Sequence, residues 1–499
     1  MKLKLLVSSL VIALLAVSLG IAQTRPQPVQ SLRGLWVDAF GPGFKSPAEV
    51  DALVAYAKSL RLNALFVQVG RRMDCYCNKA SVPRSADPKL QAAFDPLEYV
   101  IAKAHAQGIQ VHAWIITTAA LNTTEPAISA DHVFNTHGLT SSDSWLTRSN
   151  VGAVLAGKDY ILDVGHPAAA EYIASFYRSV VQNYDIDGIQ FDRVRYPDSG
   201  DEAHRAVWGY NRVSLGRFRL ETGRTDTPAP SDAQWSQWRR DQVTNLVRRV
   251  YLETKAAKPN LWVSAATIVY NTAPKDVAEF EQTRTYREVL QDWAGWMQAG
   301  NLDLNLPMNY KRETSAEQVA QLSGWARFAS ATRGKGIVAN GVALYLNTIP
   351  NSLKQLARGN SIAGISGWVG YSYRTPDVST FGGKKSMSAA QLELQRALTG
   401  SSTAPFAGAA SWGRPGTQNL SGILGRVTKN GLGASNAALE VIGSDGSSVL
   451  VRSDANGYYG LPNLPLGAVT VNMLEGDAVI ASQIGEATLG QVAVLPDLE

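Results

Sequence analysis

Cysteine is scarce in this chain: Cys75 and Cys77 are the only two among 499 residues. With no further Cys or His close by, they do not form the four-ligand set of a structural zinc site. A bridge between them would span one residue and be strained, so two thiols and a strained, loop-shaping bridge are both open. Long apolar runs are scarce too. The run from Leu5 to Leu19 is short for a stable membrane span. Lys2 and Lys4 precede it, and Gly20-Ile21-Ala22 closes it before polar Gln23, the pattern of a secretory signal peptide over 1–22 cleaved after Ala22. An uncleaved anchor is the alternative, and the lack of a cysteine after the run argues against lipid attachment there. Export to the periplasm, the cell envelope or the medium is therefore expected.

A strong charge of either sign is also lacking. The formal charge of +5 falls to about +3 once the two signal lysines leave, and the excess is spread along the chain. No basic-and-aromatic nucleic-acid module is present, so no nucleic-acid partner is expected. No Gly-rich phosphate fingerprint follows the first strand candidate, which argues against a dinucleotide site. No metal and no cofactor are expected.

What the chain does have is a repeated alternation of strand and helix. DGIQFDRVRYP (187–197) reads as a buried strand that delivers Asp192 to its C-terminal end, on the face opposite Ile189 and Phe191. Seven further strand candidates cover 33–40, 64–70, 109–116, 261–268, 302–309, 336–345 and 364–371. Helical patterns lie between most of them, such as Ile173, Phe176, Tyr177, Val180, Val181 and Tyr184 on one face. Ser46-Pro47-Ala48-Glu49 supplies an N-cap, a first-turn proline and a capping-box glutamate. Eight such units predict an α/β fold, a (β/α)8 TIM barrel over 30–399 with enlarged strand-to-helix loops. A doubly wound open sheet is the runner-up. The longest connections, about 71–94, 117–166 and 195–230, are of the kind that wall active sites.

Residues 400–418 are rich in Gly, Ser, Ala and Pro and read as a linker. Short strand candidates with turn residues between them then predict a small β-sandwich over 419–499, separable from the barrel. Asp454-Ala455-Asn456-Gly457-Tyr458-Tyr459 and Leu464-Pro465-Leu466-Gly467 resemble segments of carboxypeptidase-regulatory-like domains. That resemblance implies a spacer or a contact with the cell surface, and no chemistry.

RGLWVDAF, FVQVGRRMDCYC, QGIQVHAWI, YILDVGHP, YDIDGIQFDRVRYP and LDLNLPMNY stand in the order and spacing of the glycosyl hydrolase-like family 10 proteins, which the chain resembles over about 33–398. The resemblance implies an envelope glycosidase with an eight-stranded barrel, acting on peptidoglycan glycan strands or another polysaccharide. Glycoside hydrolysis generally uses two carboxyl groups flanking the scissile bond. Asp192 is the first candidate. Asp74 is the second, in the family's basic-then-acidic motif, which here carries Met73 where members commonly have glycine. Asp38, two residues after Trp36, is the third. Asp163 is read as structural, a cap for the helix beginning near Pro167, and Asp187 as a turn organiser at the wrong end of the barrel.

For substrate binding the candidates are His112 and Trp114 on the third strand, Asn309 and Tyr310 after the sixth, and Trp368 on the eighth, where Tyr371 also lies. Arg193, Arg195 and Tyr196 follow Asp192 and are expected to lower its pKa or to bind an anionic substituent such as a lactyl carboxylate. DGIQFD is also similar to the DGxDxDxE signature of family 18 chitinases. Gln190 and Val194 stand where that signature has its first inner aspartate and its catalytic glutamate, so that arrangement is excluded. Two competing readings stand beside an envelope glycosidase: a catalytically silent glycan-binding scaffold, and a hydrolase of an external polysaccharide.

Overall fold

The computed structural model describes residues 29–124, 128–200, 203–417 and 420–499; segment 1–22, expected from the sequence to be a signal peptide, lies outside them. Eight parallel strands, β1 (Leu32–Val37), β2 (Ala64–Gly70), β3 (Gln110–Ile116), β4 (Gly188–Asp192), β5 (Trp262–Thr267), β6 (Leu304–Pro307), β7 (Ile337–Ala343) and β8 (Ile365–Tyr371), close into a barrel. β8 pairs with β1 through Gly370 opposite Leu35 and Tyr371 opposite Trp36, so closure leaves no sheet edge. The main helices around it are α1 (Pro47–Ser59), α2 (Pro96–His105), α3 (Pro167–Asn183), α4 (Arg212–Thr222), α5 (Ala233–Ala257), α6 (Trp293–Gln298), α7 (Ala316–Ala331), α8 (Ile349–Asn360) and α9 (Met387–Thr399).

Local chemistry explains where these helices begin. The Ser46 side chain accepts from the Glu49 amide, and Pro47 opens α1. Glu49 reaches further back than a capping box requires, accepting from the Gly43 and Lys45 amides at 2.9 Å each. Helix α3 turns Ile173, Phe176, Tyr177, Val180 and Val181 onto the barrel wall, as the periodicity predicts.

The barrel interior is layered. Across β3 and β4, His112 stands level with Gly188, Trp114 with Gln190, and Ile116 with Asp192. Gly188 is needed in the lowest of these layers, because an added Cβ would lie 2.3 Å from the His112 ring. Above, Trp36 Nε1 donates to Gln190 Oε1 at 2.6 Å. The indole has space because β7 carries Gly341, where a Cβ would come within 2.6 Å of the Trp36 ring.

The enlarged loops rise from the C-terminal ends of β2, β3 and β4. The first holds the disulfide between Cys75 and Cys77 and is tied to the β1–α1 connection by a buried Lys45–Asp87 ion pair at 2.7 Å. The second carries a small antiparallel sheet of 119–122, 155–156 and 159–161.

The opposite end of the barrel is covered by 400–417, which is not the free spacer its composition suggests. Phe406 is buried against Trp368, and Arg33 donates to the Gly408 carbonyl at 2.8 Å. Residues 410–411 pair with 29–30. Trp412 stacks on Trp262 with ring centroids 5.1 Å apart, and Arg414 pairs with Asp187 at 2.6 Å.

Beyond it stand β9 (Ser421–Arg426), β10 (Ala438–Ile442), β11 (Ser448–Arg452), β12 (Tyr458–Leu461), β13 (Gly467–Glu475), β14 (Ala478–Ala487) and β15 (Gln491–Val494). They form two sheets, β12-β9-β15 and β11-β10-β13-β14, around Ile423, Leu439, Val441, Val469 and Val471. The expected separation from the barrel is incomplete. Leu420, Leu424 and Val492 join the barrel's apolar core, and buried Arg249 on α5 lies 3.9 Å from the centroid of the Tyr458 ring.

Candidate active site

A cavity of about 560 Å³ opens at the C-terminal end of the strands. Its floor is made by upper inward side chains of the barrel: Trp36 from β1, Gln68 from β2, Trp114 from β3 and Ala266 from β5. One wall, over β6 to β8, is aromatic. Tyr310 stacks on Tyr371 with centroids 5.6 Å apart, and Tyr345 meets both edge-on. The facing wall, over β4 and β5, carries Arg193, Arg195 and Tyr270, and Arg72 and Lys311 bring two further cations.

Asp192 ends β4 and enters this cavity with 8% of its surface exposed. Trp114 Nε1 donates to its Oδ2 at 3.0 Å. Burial pushes its carboxyl above the ordinary carboxylate range, outweighing the opposing pull of Arg193 and Arg195. The two arginines do pull the pKa down, as the sequence suggests, but burial outweighs them and the net direction is upward. They are themselves engaged: Arg193 pairs with Asp159 at 2.7 Å and Arg195 with Asp198 at 3.1 Å. A carboxyl whose pKa is raised at a cleft floor holds its proton to higher pH than a free one, a property suited to giving a proton to a leaving oxygen.

Among the described residues lining the cavity, Asp192 supplies the one carboxyl. Asp38 is buried at the end of β1, where Arg374 Nε donates to both its oxygens at 2.8 and 3.0 Å. Asp74 is buried in the loop after β2 and accepts from the Arg72 amide at 3.0 Å. The residue before it, Met73, holds φ +56°, the left-handed conformation in which glycine is unstrained, which gives the departure from the family motif a physical meaning.

Of the binding candidates, Trp114, Arg193, Arg195 and Tyr310 line the cavity. Four others do not. His112 faces inward but lies two layers below Asp192, packed on Phe66 at 4.5 Å, where burial lowers its pKa to about 4. Asn309 has the opposite parity to Met308 and Tyr310 and donates to the Leu322 carbonyl at 2.8 Å. Trp368 likewise faces out, against Phe406. Tyr196 turns away, its hydroxyl donating to Asp163 at 3.2 Å.

Asp163 is structural, but not as a helix cap. It accepts from the Gly165 amide at 2.9 Å and from Ser214 at 2.9 Å, while His166 occupies the N-cap of α3. Asp187, read as a turn organiser, is instead a clamp. It accepts from the Val111 amide at 2.8 Å and pairs with His105 and Arg414.

The closed parallel barrel agrees with the comparisons to known proteins. Residues 31–355 match the sequence profile of the glycosyl hydrolase-like 10 family. The chain belongs to that family. It is 23% identical over 386 residues to glycosyl hydrolase DigH of Escherichia coli (strain K12), covering 69% of this chain and 84% of that protein. Glycosyl hydrolase YngK of Bacillus subtilis (strain 168) is 24% identical over 282 residues, 52% of this chain and 48% of that protein. Among solved structures, the catalytic domain of β-amylase from Paenibacillus polymyxa aligns with a TM-score of 0.50 at 11% identity, covering 73% of this chain and 99% of that one, a likeness of fold. This glycosyl hydrolase-like 10 chain is thus a glycoside hydrolase, and its substrate is a glycan.

Several cleft residues of this family member were not singled out by sequence reasoning: Phe40, Gln68, Tyr270, Asn271, Met308, Lys311 and Tyr345. A signal existed for some. Each lies at or just beyond the last inward position of its strand, which strand parity counted to the C-terminal end can find.

Proposed function

We propose that the protein is an exported glycoside hydrolase that cleaves a cell-envelope glycan, the glycan strands of peptidoglycan, with Asp192 as the general acid. The observation that carries this reading is the buried Asp192 carboxyl at the cleft floor, held toward its protonated form and oriented by Trp114. The neighbouring cations Arg72, Arg193, Arg195 and Lys311 favour a glycan with anionic substituents, and the lactyl carboxylate of peptidoglycan is one. Asp74 or Asp38 supplies the second carboxyl in this proposal; neither lines the cavity, Asp38 standing just after β1 and Asp74 in the loop after β2. Export rests on the N-terminal signal pattern, and the C-terminal sheets are assigned a contact with the cell surface.

Product analysis of the purified protein on peptidoglycan glycan strands, with and without stem peptides, tests the reading. New reducing ends that disappear in the Asp192→Asn variant are expected. Release of sugars from an external polysaccharide but not from peptidoglycan would move the substrate, and tight glycan binding without any product would favour the silent scaffold.

A further inference from the structure

Outside the cavity, Phe381 is a large apolar side chain left 60% exposed at the mouth. It is not loose. It ends a short turn of helix, Val378–Phe381, that is tied down at several points. Asp377 accepts from the Thr380 amide at 2.7 Å and from the Thr380 hydroxyl at 2.8 Å, and Lys385 pairs with the same carboxylate at 2.6 Å. The Val378 amide donates to the Asn347 carbonyl at 2.9 Å, joining the turn to the segment after β7. The ring is therefore presented to solvent in a fixed place.

That place continues the cleft. The Phe381 ring lies 5.1 Å from Tyr345, Tyr345 lies 5.9 Å from Tyr371, and Tyr371 lies 6.3 Å from Trp114, which donates to Asp192. Tyr345, Tyr371 and Trp114 all line the cavity. Successive rings pack tilted or edge-on, at 53°, 80° and 75°, and the file runs from the acid on β4 across the barrel to the rim beside β7 and β8.

An aromatic face offers a flat apolar surface to the C–H face of a pyranose while leaving its hydroxyls in water, and a fixed ring loses little entropy on binding. We propose that Phe381 is the outermost sugar-stacking platform of this file, a distal subsite that holds the glycan chain several residues away from the bond being cleaved. The occupant is a further sugar of the same polymer, because the file is continuous with the catalytic cleft. The inference rests on the glycan-hydrolase reading of that cleft and adds that the enzyme measures chain length along its β7–β8 wall.

The test is a comparison of steady-state kinetics on peptidoglycan-derived oligosaccharides of increasing length for the wild type, Phe381→Ala and Phe381→Trp. For chains long enough to reach the rim, Phe381→Ala should raise KM by about tenfold with kcat little changed, and Phe381→Trp should restore it. Disaccharide and tetrasaccharide substrates should show no difference between the three proteins. An equal loss on short and long chains, or no loss on long ones, would overturn the subsite. If the wild type cleaves none of these substrates, the cleavage reading fails by itself. The same variants titrated with the long oligosaccharides by calorimetry then judge the subsite, which falls if Phe381→Ala binds as tightly as the wild type.

Discussion

The two ends of β4 carry two aspartates with opposite fates. Asp187, just before the strand, meets a complete set of partners: the Val111 amide, His105 and Arg414. Asp192, at its end, receives one side-chain donor, the Trp114 indole, and faces a cavity. A carboxylate satisfied on every side holds a fold together. One that is buried without a matched cation is driven toward its neutral acid and has a proton to give. The barrel repeats this difference as a whole, with 400–417 closing the lower end and the long loops leaving the upper end open.

The comparison is broken most severely at its open end, where the catalytic acid is proposed. Asp192→Asn should reduce kcat by about 10²–10⁴, the range for loss of general acid catalysis. In the wild type, activity should fall as pH rises through the elevated pKa of Asp192, and the residual activity of the variant should lose that limb. The wild type's stability should decline with rising pH as well. In the unfolded chain the group titrates near about 3.9, so above that value the folded state retains the proton longer and stability declines as pH rises through the folded pKa. Asn escapes this penalty. Thermal unfolding at neutral pH should therefore find the variant at least as stable as wild type, and a clear loss of stability with normal turnover would make Asp192 an ion-pair partner only.

The closed end is tested next by truncation. Ending the chain at Gly400 removes Phe406, Trp412 and Arg414 together with the sheets, and exposes the apolar surface they cover. Loss of a buried phenylalanine alone costs about 3–5 kcal/mol, so the truncated barrel should unfold at markedly lower denaturant concentration. Ending it at Thr417 keeps the cover and should retain much of that stability. Equal stability of both truncations would return 400–417 to the role of a spacer.

These two ends were not equally legible in the sequence. All eight barrel strands and the position of Asp192 follow from alternation and from the rule that barrel chemistry sits at C-terminal strand ends. The site was read less well because parity and depth must both be right. His112 has the inward parity of Trp114 but lies too low. Asn309 has the depth but the wrong parity, Trp368 has neither, lying level with Arg33 against Phe406 of the lower cover, and at Tyr196 the chain has left the strand, so parity no longer applies. The cover at 400–417 was hidden by its composition, since Phe406, Trp412 and Arg414 act through contacts with residues distant in sequence. Nor could an Asp-Gly pair at 187–188 be told from a turn until His112 was seen resting on Gly188.

A smaller effect is expected from Asp187→Asn. The amide oxygen can still accept from Val111, but the ion pairs to His105 and Arg414 are lost. Both partners are part-exposed, with side-chain exposures of 29% and 44%, so solvent screening reduces what is lost. A decrease of about 1–3 kcal/mol in unfolding free energy is expected, with kcat per folded molecule unchanged. If instead kcat fell while stability held, the two aspartates would not be separate in role.

The mildest test is Trp412→Ala. This indole stacks on Trp262 with rings 16° from parallel and caps the lower end of the barrel interior, well below the layer that holds Asp192. Aromatic pairs contribute about 0.5–1.5 kcal/mol beyond the area they bury, so the unfolding midpoint should drop modestly. The Trp412 carbonyl, which accepts from Gln110 at 3.1 Å, belongs to the backbone and survives the substitution. Turnover and its pH dependence should therefore match wild type wherever the variant is folded. The prediction is sharp because Trp262 stands in the same strand as Ala266 of the cleft floor. A change in kcat or in the alkaline limb of the pH profile would show that strain at the covered end reaches the acid through β5.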